Sequence, residues 1–146
     1  MEGLLAYSYL WIYGFCSAQA YHERLDELFS AKPGDARLLE LEKCAHRDKD
    51  TFARLSGYVE HEANAFDTAM FGKTLFEGLE KAYRSDGCDL EDFGKQCYAL
   101  WKTLPKFLDH EQPFYTLCYV DEPLPWGKKQ NGALLESAFA FYKGAK

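Results

Sequence analysis

Apolar positions along this chain recur at alternating steps of three and four, the spacing of one face of a helix. The first stretch is the most apolar. Gly3 to Tyr21 are nineteen uncharged residues in a row, six of them aromatic: Tyr7, Tyr9, Trp11, Tyr13, Phe15 and Tyr21. Leu4, Tyr7, Trp11, Gly14, Ala18, Tyr21, Leu25 and Leu28 form a seam that predicts one central helix fading near Ser30, before Lys32-Pro33-Gly34. Gly14 lies on that seam, where close approach of another backbone is the expected reason for it. Gly57, Gly78 and Gly94 also fall inside expected helices, each at a cost of about 1 kcal/mol relative to alanine.

Asp35 is placed to cap a second helix with the seam Leu38, Leu41, Ala45, Phe52, Leu55 and Val59. The run His46-Arg47-Asp48-Lys49-Asp50 interrupts its apolar stripe, but no Gly or Pro does, so a continuous helix is expected. Ala63, Phe66 and Met70 carry the stripe on to Gly72. The sequence Thr74-Leu75-Phe76-Glu77 reads as a capping box opening a short helix that stops at Ser85-Asp86-Gly87. Asp89 caps the next, whose seam is Leu90, Phe93, Cys97, Leu100 and Leu104 up to Pro105. A last helix is expected from about Gly132 to Lys143 through Leu135, Ala138 and Tyr142. No long period-two alternation suggests a sheet, though Thr116 to Val120 could form one short strand. The expectation is an all-α fold, a compact single-domain bundle of five or six helices over residues 1–146, with a long Pro- and aromatic-rich loop before the last helix.

Pro105 to Gln130 breaks the helical pattern with Pro105, Pro113, Pro123 and Pro125. It also holds Phe107, Leu108, Phe114, Tyr115, Leu117, Tyr119, Val120, Leu124 and Trp126, too many apolar residues for a solvated linker. It reads either as a lid on the bundle or as a partner-facing surface carrying Tyr119, Asp121, Glu122 and Trp126, the candidate binding residues.

Composition narrows the classes of function. At 146 residues the chain can bury a self-sufficient core of about 70% of its unfolded surface. The first apolar stretch contains four tyrosines and Gln19, with aromatics scattered along its length, which argues against a membrane span. Glu2 is the only charge ahead of it, where a secretory signal has a basic start. The net charge of −6, from 17 Lys and Arg against 23 interspersed Asp and Glu with no basic cluster, argues against a phosphate-binding surface and does not single out a nucleic-acid mimic. Cys16, Cys44, Cys88, Cys97 and Cys118 are odd in number and irregularly spaced, which predicts reduced thiols and a cytoplasmic protein.

Motifs that would carry chemistry are weak. Gly72-Lys73-Thr74 resembles the end of a phosphate loop, but Asp67 stands where that loop needs glycine. His22 with Asp26, Glu42 with His46 and Asp50, and His61-Glu62 supply metal-ligand types. His46 and Asp50 nevertheless point away from the expected seam, so no metal site is expected. There is no nucleophile elbow and no glycine-rich cofactor loop, so no cofactor is expected either. The sequence therefore points to a non-enzymatic protein-binding module whose partner is another protein or a second copy of itself, with no direct nucleic-acid or membrane binding. The competing readings are a small-molecule or metal-dependent bundle enzyme lined by the first helix's tyrosines, and an acidic inhibitor seated in a basic groove of a partner.

Overall fold

The apolar opening folds as helix, but not as one helix. In the computed structural model, which describes residues 2–61, 63–118 and 128–142, α1 runs Glu2–Ile12 and α2 runs Ala18–Ala31. The break is a C-terminal helix cap of the Schellman type. Gly14 takes φ 81°, its N–H bonds to the Trp11 carbonyl at 3.2 Å, and the Phe15 N–H bonds to the Leu10 carbonyl at 2.8 Å. Buried Phe15 and Leu10 are the apolar pair that accompanies such a cap. Gly14 is therefore present for its left-handed backbone, not for close packing against a neighbour.

The second expected helix also divides, into α3 (Ala36–Lys43) and α4 (Asp48–His61). Asp35 caps α3 as expected, accepting from the Arg37 and Leu38 N–H groups. The charged run is the place where the chain turns, and three donors hold the turn. Arg47 N–H and the Thr51 hydroxyl both reach the Cys44 carbonyl at 2.9 Å, and His22 Nε2 lies 2.6 Å from the Ala45 carbonyl. Those bonds satisfy carbonyls that a continuous helix would have paired internally.

A 3₁₀ turn, Ala63–Ala65, precedes α5, Thr68–Tyr83. The expected stop at Gly72 and restart at Thr74 do not occur, because Asp67 caps the helix first. Its carboxylate accepts from the Met70 N–H at 3.0 Å, and its own N–H reaches Glu2 Oε1 at 3.3 Å. Further on lie α6 (Leu90–Lys102, capped by Asp89), a 3₁₀ turn (Phe114–Cys118) and α7 (Lys128–Phe141). The segment around Thr116 is not a strand. Its backbone is satisfied locally, Tyr115 N–H by the Glu111 carbonyl at 2.9 Å and Thr116 N–H by that of Pro113 at 3.1 Å. The fold is all-α with seven α-helices among the described residues, more than the five or six expected because each of the first two expected helices is divided. No described helix is long and apolar enough to cross a membrane.

The chain packs as two compact units, Met1–Leu75 and Phe76–Lys146, divided inside α5. In the first, α1 is enclosed: Leu4, Leu5, Ala6, Ser8, Tyr9 and Leu10 are buried, so no single face dominates. Tyr9 meets Phe52 edge-on at 4.9 Å and Phe71 at 5.9 Å. Trp11, on the expected seam, is only half-buried and stacks on Tyr21 at 5.6 Å. In the second unit Phe93, Cys97 and Leu100 line α6 as the sequence predicts, while Leu104, also buried, lies just past the helix end at Lys102. Phe114 packs on Phe76 at 5.6 Å and on Tyr142 at 6.5 Å. Arg84 joins α5 to α7 by bonding Glu80 at 2.9 Å and Glu136 at 2.8 Å.

Asp26 of α2 and Glu42 of α3 bring two carboxyls together in the first unit. Partial burial first, then the hydrogen bond and charge of Asp26, push the Glu42 carboxyl above the usual carboxylate range, while His22 opposes the shift. A raised folded-state value means that stability present below the unfolded carboxylate pKa is lost as pH rises through the folded one. Glu42→Gln is therefore expected to raise the urea midpoint at pH 7, by no more than the ~0–1 kcal/mol typical of exposed charge pairs. The advantage should shrink towards pH 4, and a constant difference across that range would contradict the assignment.

A candidate interaction surface of aromatic residues

The second unit presents aromatic rings outward as well as inward. Phe93, Cys97 and Leu100 turn α6 towards its core, which leaves Tyr98 and Trp101, three apart and off that seam, at the surface. Tyr98 is 38% exposed and stacks on half-buried Trp101 at 5.9 Å, the planes 28° apart. Lys102 Nζ lies 5.3 Å from the Tyr98 ring centroid, within cation–π reach.

The chain after α6 folds back along this face. The Trp101 indole Nε1–H donates to the Asp109 carbonyl at 2.8 Å, and the Trp101 ring meets Tyr115 at 6.3 Å. His110 packs edge-on against Tyr115 at 6.0 Å. Phe107, in the same turn, is 42% exposed. Beneath the turn Leu104, Leu108, Pro113, Phe114, Leu117 and Cys118 are buried, so this part of the Pro-rich segment is packed into the core and also carries exposed rings.

One polar group here lacks a hydrogen bond. Asp109 Oδ1 is buried without a hydrogen-bond partner, and its ion-pair neighbour, His110 Nε2, stands at 3.7 Å, too long for a hydrogen bond. An unsatisfied buried acceptor costs roughly 1–3 kcal/mol, more if charged, which singles this carboxylate out.

Tyr119, Asp121, Glu122 and Trp126 lie outside the described residues. The described part of the same segment contributes Phe107, Asp109, His110 and Tyr115 to the surface, and α6 adds Tyr98 and Trp101. Sequence reasoning named Phe107 and Tyr115 only as apolar residues of the segment, and passed over Tyr98 and Trp101. The available signal was a Tyr and a Trp at i, i+3 off the buried seam of α6.

The metal-type residues are distributed otherwise. Among the described residues no group of three His, Cys, Asp or Glu is arranged to hold an ion. His22 serves the Ala45 carbonyl, Asp50 pairs with Arg47 at 3.0 Å, and His46 and His61 are exposed. Glu62 lies outside the described residues. Gly72-Lys73-Thr74 sits mid-helix in α5, where its backbone N–H groups cannot cradle a phosphate. No disulfide joins the described cysteines; burial pushes the Cys97 thiol well above the ordinary range, and the same cause, with Asp89 beside it, raises Cys88. The Tyr21 hydroxyl is buried beside Thr51 without a well-aligned hydrogen bond, and burial raises its pKa. Comparison with protein-family models, with curated proteins and with solved structures found no match to this chain.

Proposed function

We propose that the protein is a non-enzymatic, helical protein-binding module whose partner, another protein or a second copy of this chain, docks on the aromatic surface of α6 and the turn that follows it. The observation that carries the reading is the group Tyr98, Trp101, Phe107 and Tyr115, held at the surface of an otherwise packed unit. Tyr and Trp lose few rotatable bonds on binding and supply large contact area, which is why they are enriched among residues that dominate interface energetics. The Trp101–Asp109 hydrogen bond fixes the turn in advance and lowers the ordering cost of association. Tyr119, Asp121, Glu122 and Trp126 follow Cys118 directly in sequence, and we extend the same proposal to them, with the acids as a polar rim. A cytoplasmic location belongs to this proposal as well.

The test is site-specific photo-cross-linking in the native host, with the reactive side chain at positions 98, 107 and 126 and at the exposed position 49 as control. Discrete adducts at 98 and 107, either with one heterologous protein or as a dimer, are expected, with none at 49. Adducts at 126 would extend the surface into the second half of the Pro-rich segment. Equal labelling at all four positions would defeat the proposal.

A further inference from the structure

We infer that the aromatic surface recognises an arginine side chain of its partner, with Asp109 as the counter-charge. The inference rests on the proposed function and specifies the chemistry of the partner.

Trp101, Tyr115 and His110 are neighbours around Asp109, and the Trp101 indole is tied to that residue's backbone. Ring faces carry a negative quadrupole and attract cations, as Lys102 over Tyr98 already illustrates within the fold. No described cation lies over Trp101. A carboxylate oxygen without a hydrogen bond sits at the same place. A guanidinium meets both features at once, since it is planar, stacks on rings, and donates parallel N–H groups to a carboxylate. An ammonium can approach both only as a point charge, without the planar stack or the paired donors, and an apolar side chain leaves the carboxylate unmet. The chain's net charge of −6 favours approach of a cation at long range.

Access follows from exposure. The Asp109 side chain is 22% exposed, so the group is within reach although Oδ1 itself is covered. His110, the neighbour at 3.7 Å, is 78% exposed and touches Tyr115 by one edge; the inference requires that its ring turn towards solvent as the guanidinium enters. The Trp101–Asp109 bond uses the backbone carbonyl, so replacing the Asp109 side chain leaves the turn's anchor in place.

The test uses the full chain at low salt with N-acetyl-arginine amide as probe and N-acetyl-citrulline amide, its uncharged near-isostere, as control. The readout is the indole N–H resonance of Trp101, assigned with a Trp101→Phe variant. The arginine probe is expected to shift this resonance with a Kd on the order of millimolar, as suits one cation–π contact plus one charge-assisted bond. Citrulline should bind about ten-fold more weakly or not at all, and Asp109→Asn should weaken the arginine probe by about the same factor, the loss expected for one charged hydrogen bond. His110→Ala should bind it at least as well as the unaltered chain. Equal shifts from arginine and citrulline, or an unchanged affinity in Asp109→Asn, would overturn the inference. If cross-links form at position 98 while the two probes behave alike, the surface stands and only the arginine preference falls. If neither cross-links nor probe shifts appear, both readings fall together.

Discussion

Tyr9→Ala is expected to destabilise the first unit by about 3–5 kcal/mol, the range for removing a fully buried aromatic ring from a packed core. Tyr9 is 1% exposed and its ring contacts Tyr13, Phe52 and Phe71, so α1, α4 and α5 all lose a neighbour at once. Repacking cannot readily fill the space, because Leu5 and Leu10, also on α1, are themselves fully buried. Burial, with Tyr13 and Glu60 nearby, pushes the Tyr9 phenol above its ordinary range, so ionisation of this hydroxyl opposes folding. Tyr9→Phe should therefore be far milder than Tyr9→Ala, limited to the hydroxyl's own interactions. The check is chemical denaturation of both variants, with amide exchange followed residue by residue. A midpoint for Tyr9→Ala within 0.5 kcal/mol of the unaltered chain, about the spread of inconsequential surface changes, would mean that α1 is not the core element described.

How much of this architecture can be read from the chain depends on whether the deciding interaction is local. The helix caps at Asp35 and Asp89 and the α6 seam Phe93, Cys97 and Leu100 are local in sequence, and the structure has them where the pattern puts them. The boundary at the charged run after Cys44 is decided by Thr51 and by His22, the latter 23 residues before the carbonyl it serves. No window of helix periodicity contains that pairing. Gly14 was visible but ambiguous, since a glycine on an apolar seam serves close packing and a left-handed cap equally well; only its φ of 81° distinguishes them. Thr74 illustrates the opposite failure. Its capping box is well formed as letters, yet Asp67 caps the same helix seven residues earlier, and a hydroxyl inside a helix then has no free N–H groups to satisfy.

The candidate site was legible only in outline. Proline density marked the segment that joins the proposed surface, because it excluded a long helix while apolar residues excluded a solvated loop. The partition of that segment's rings was not legible. Phe114 and Leu117 are buried, whereas Phe107 is 42% exposed, and this depends on the 3₁₀ turn from Phe114 to Cys118 rather than on hydrophobicity. The contribution of α6 was overlooked because Tyr98 and Trp101 lie on a helix whose seam already accounted for its core.

Phe114→Ala is the variant expected to separate the surface from the core beneath it. Phe114 is fully buried between Phe76 and Tyr142, and its truncation should cost about 3–5 kcal/mol in the second unit. The same 3₁₀ turn carries Tyr115, which packs against both Trp101 and His110. Loss of Phe114 should therefore loosen the turn and abolish partner cross-linking together with cooperative unfolding. Phe107→Ser should behave differently. That side chain is 42% exposed, so the substitution should leave the denaturation midpoint within about 0.5 kcal/mol while weakening cross-linking at position 98. The paired measurement is urea unfolding and cross-linking yield for each variant, with Phe114→Leu as a volume-retaining control expected to be much milder than Phe114→Ala. If Phe107→Ser destabilises the fold as strongly as Phe114→Ala, the exposed rings are structural and the surface has no separate binding role. If it changes neither stability nor cross-linking, Phe107 stands outside the contact, and Tyr98 and Trp101 must carry the association.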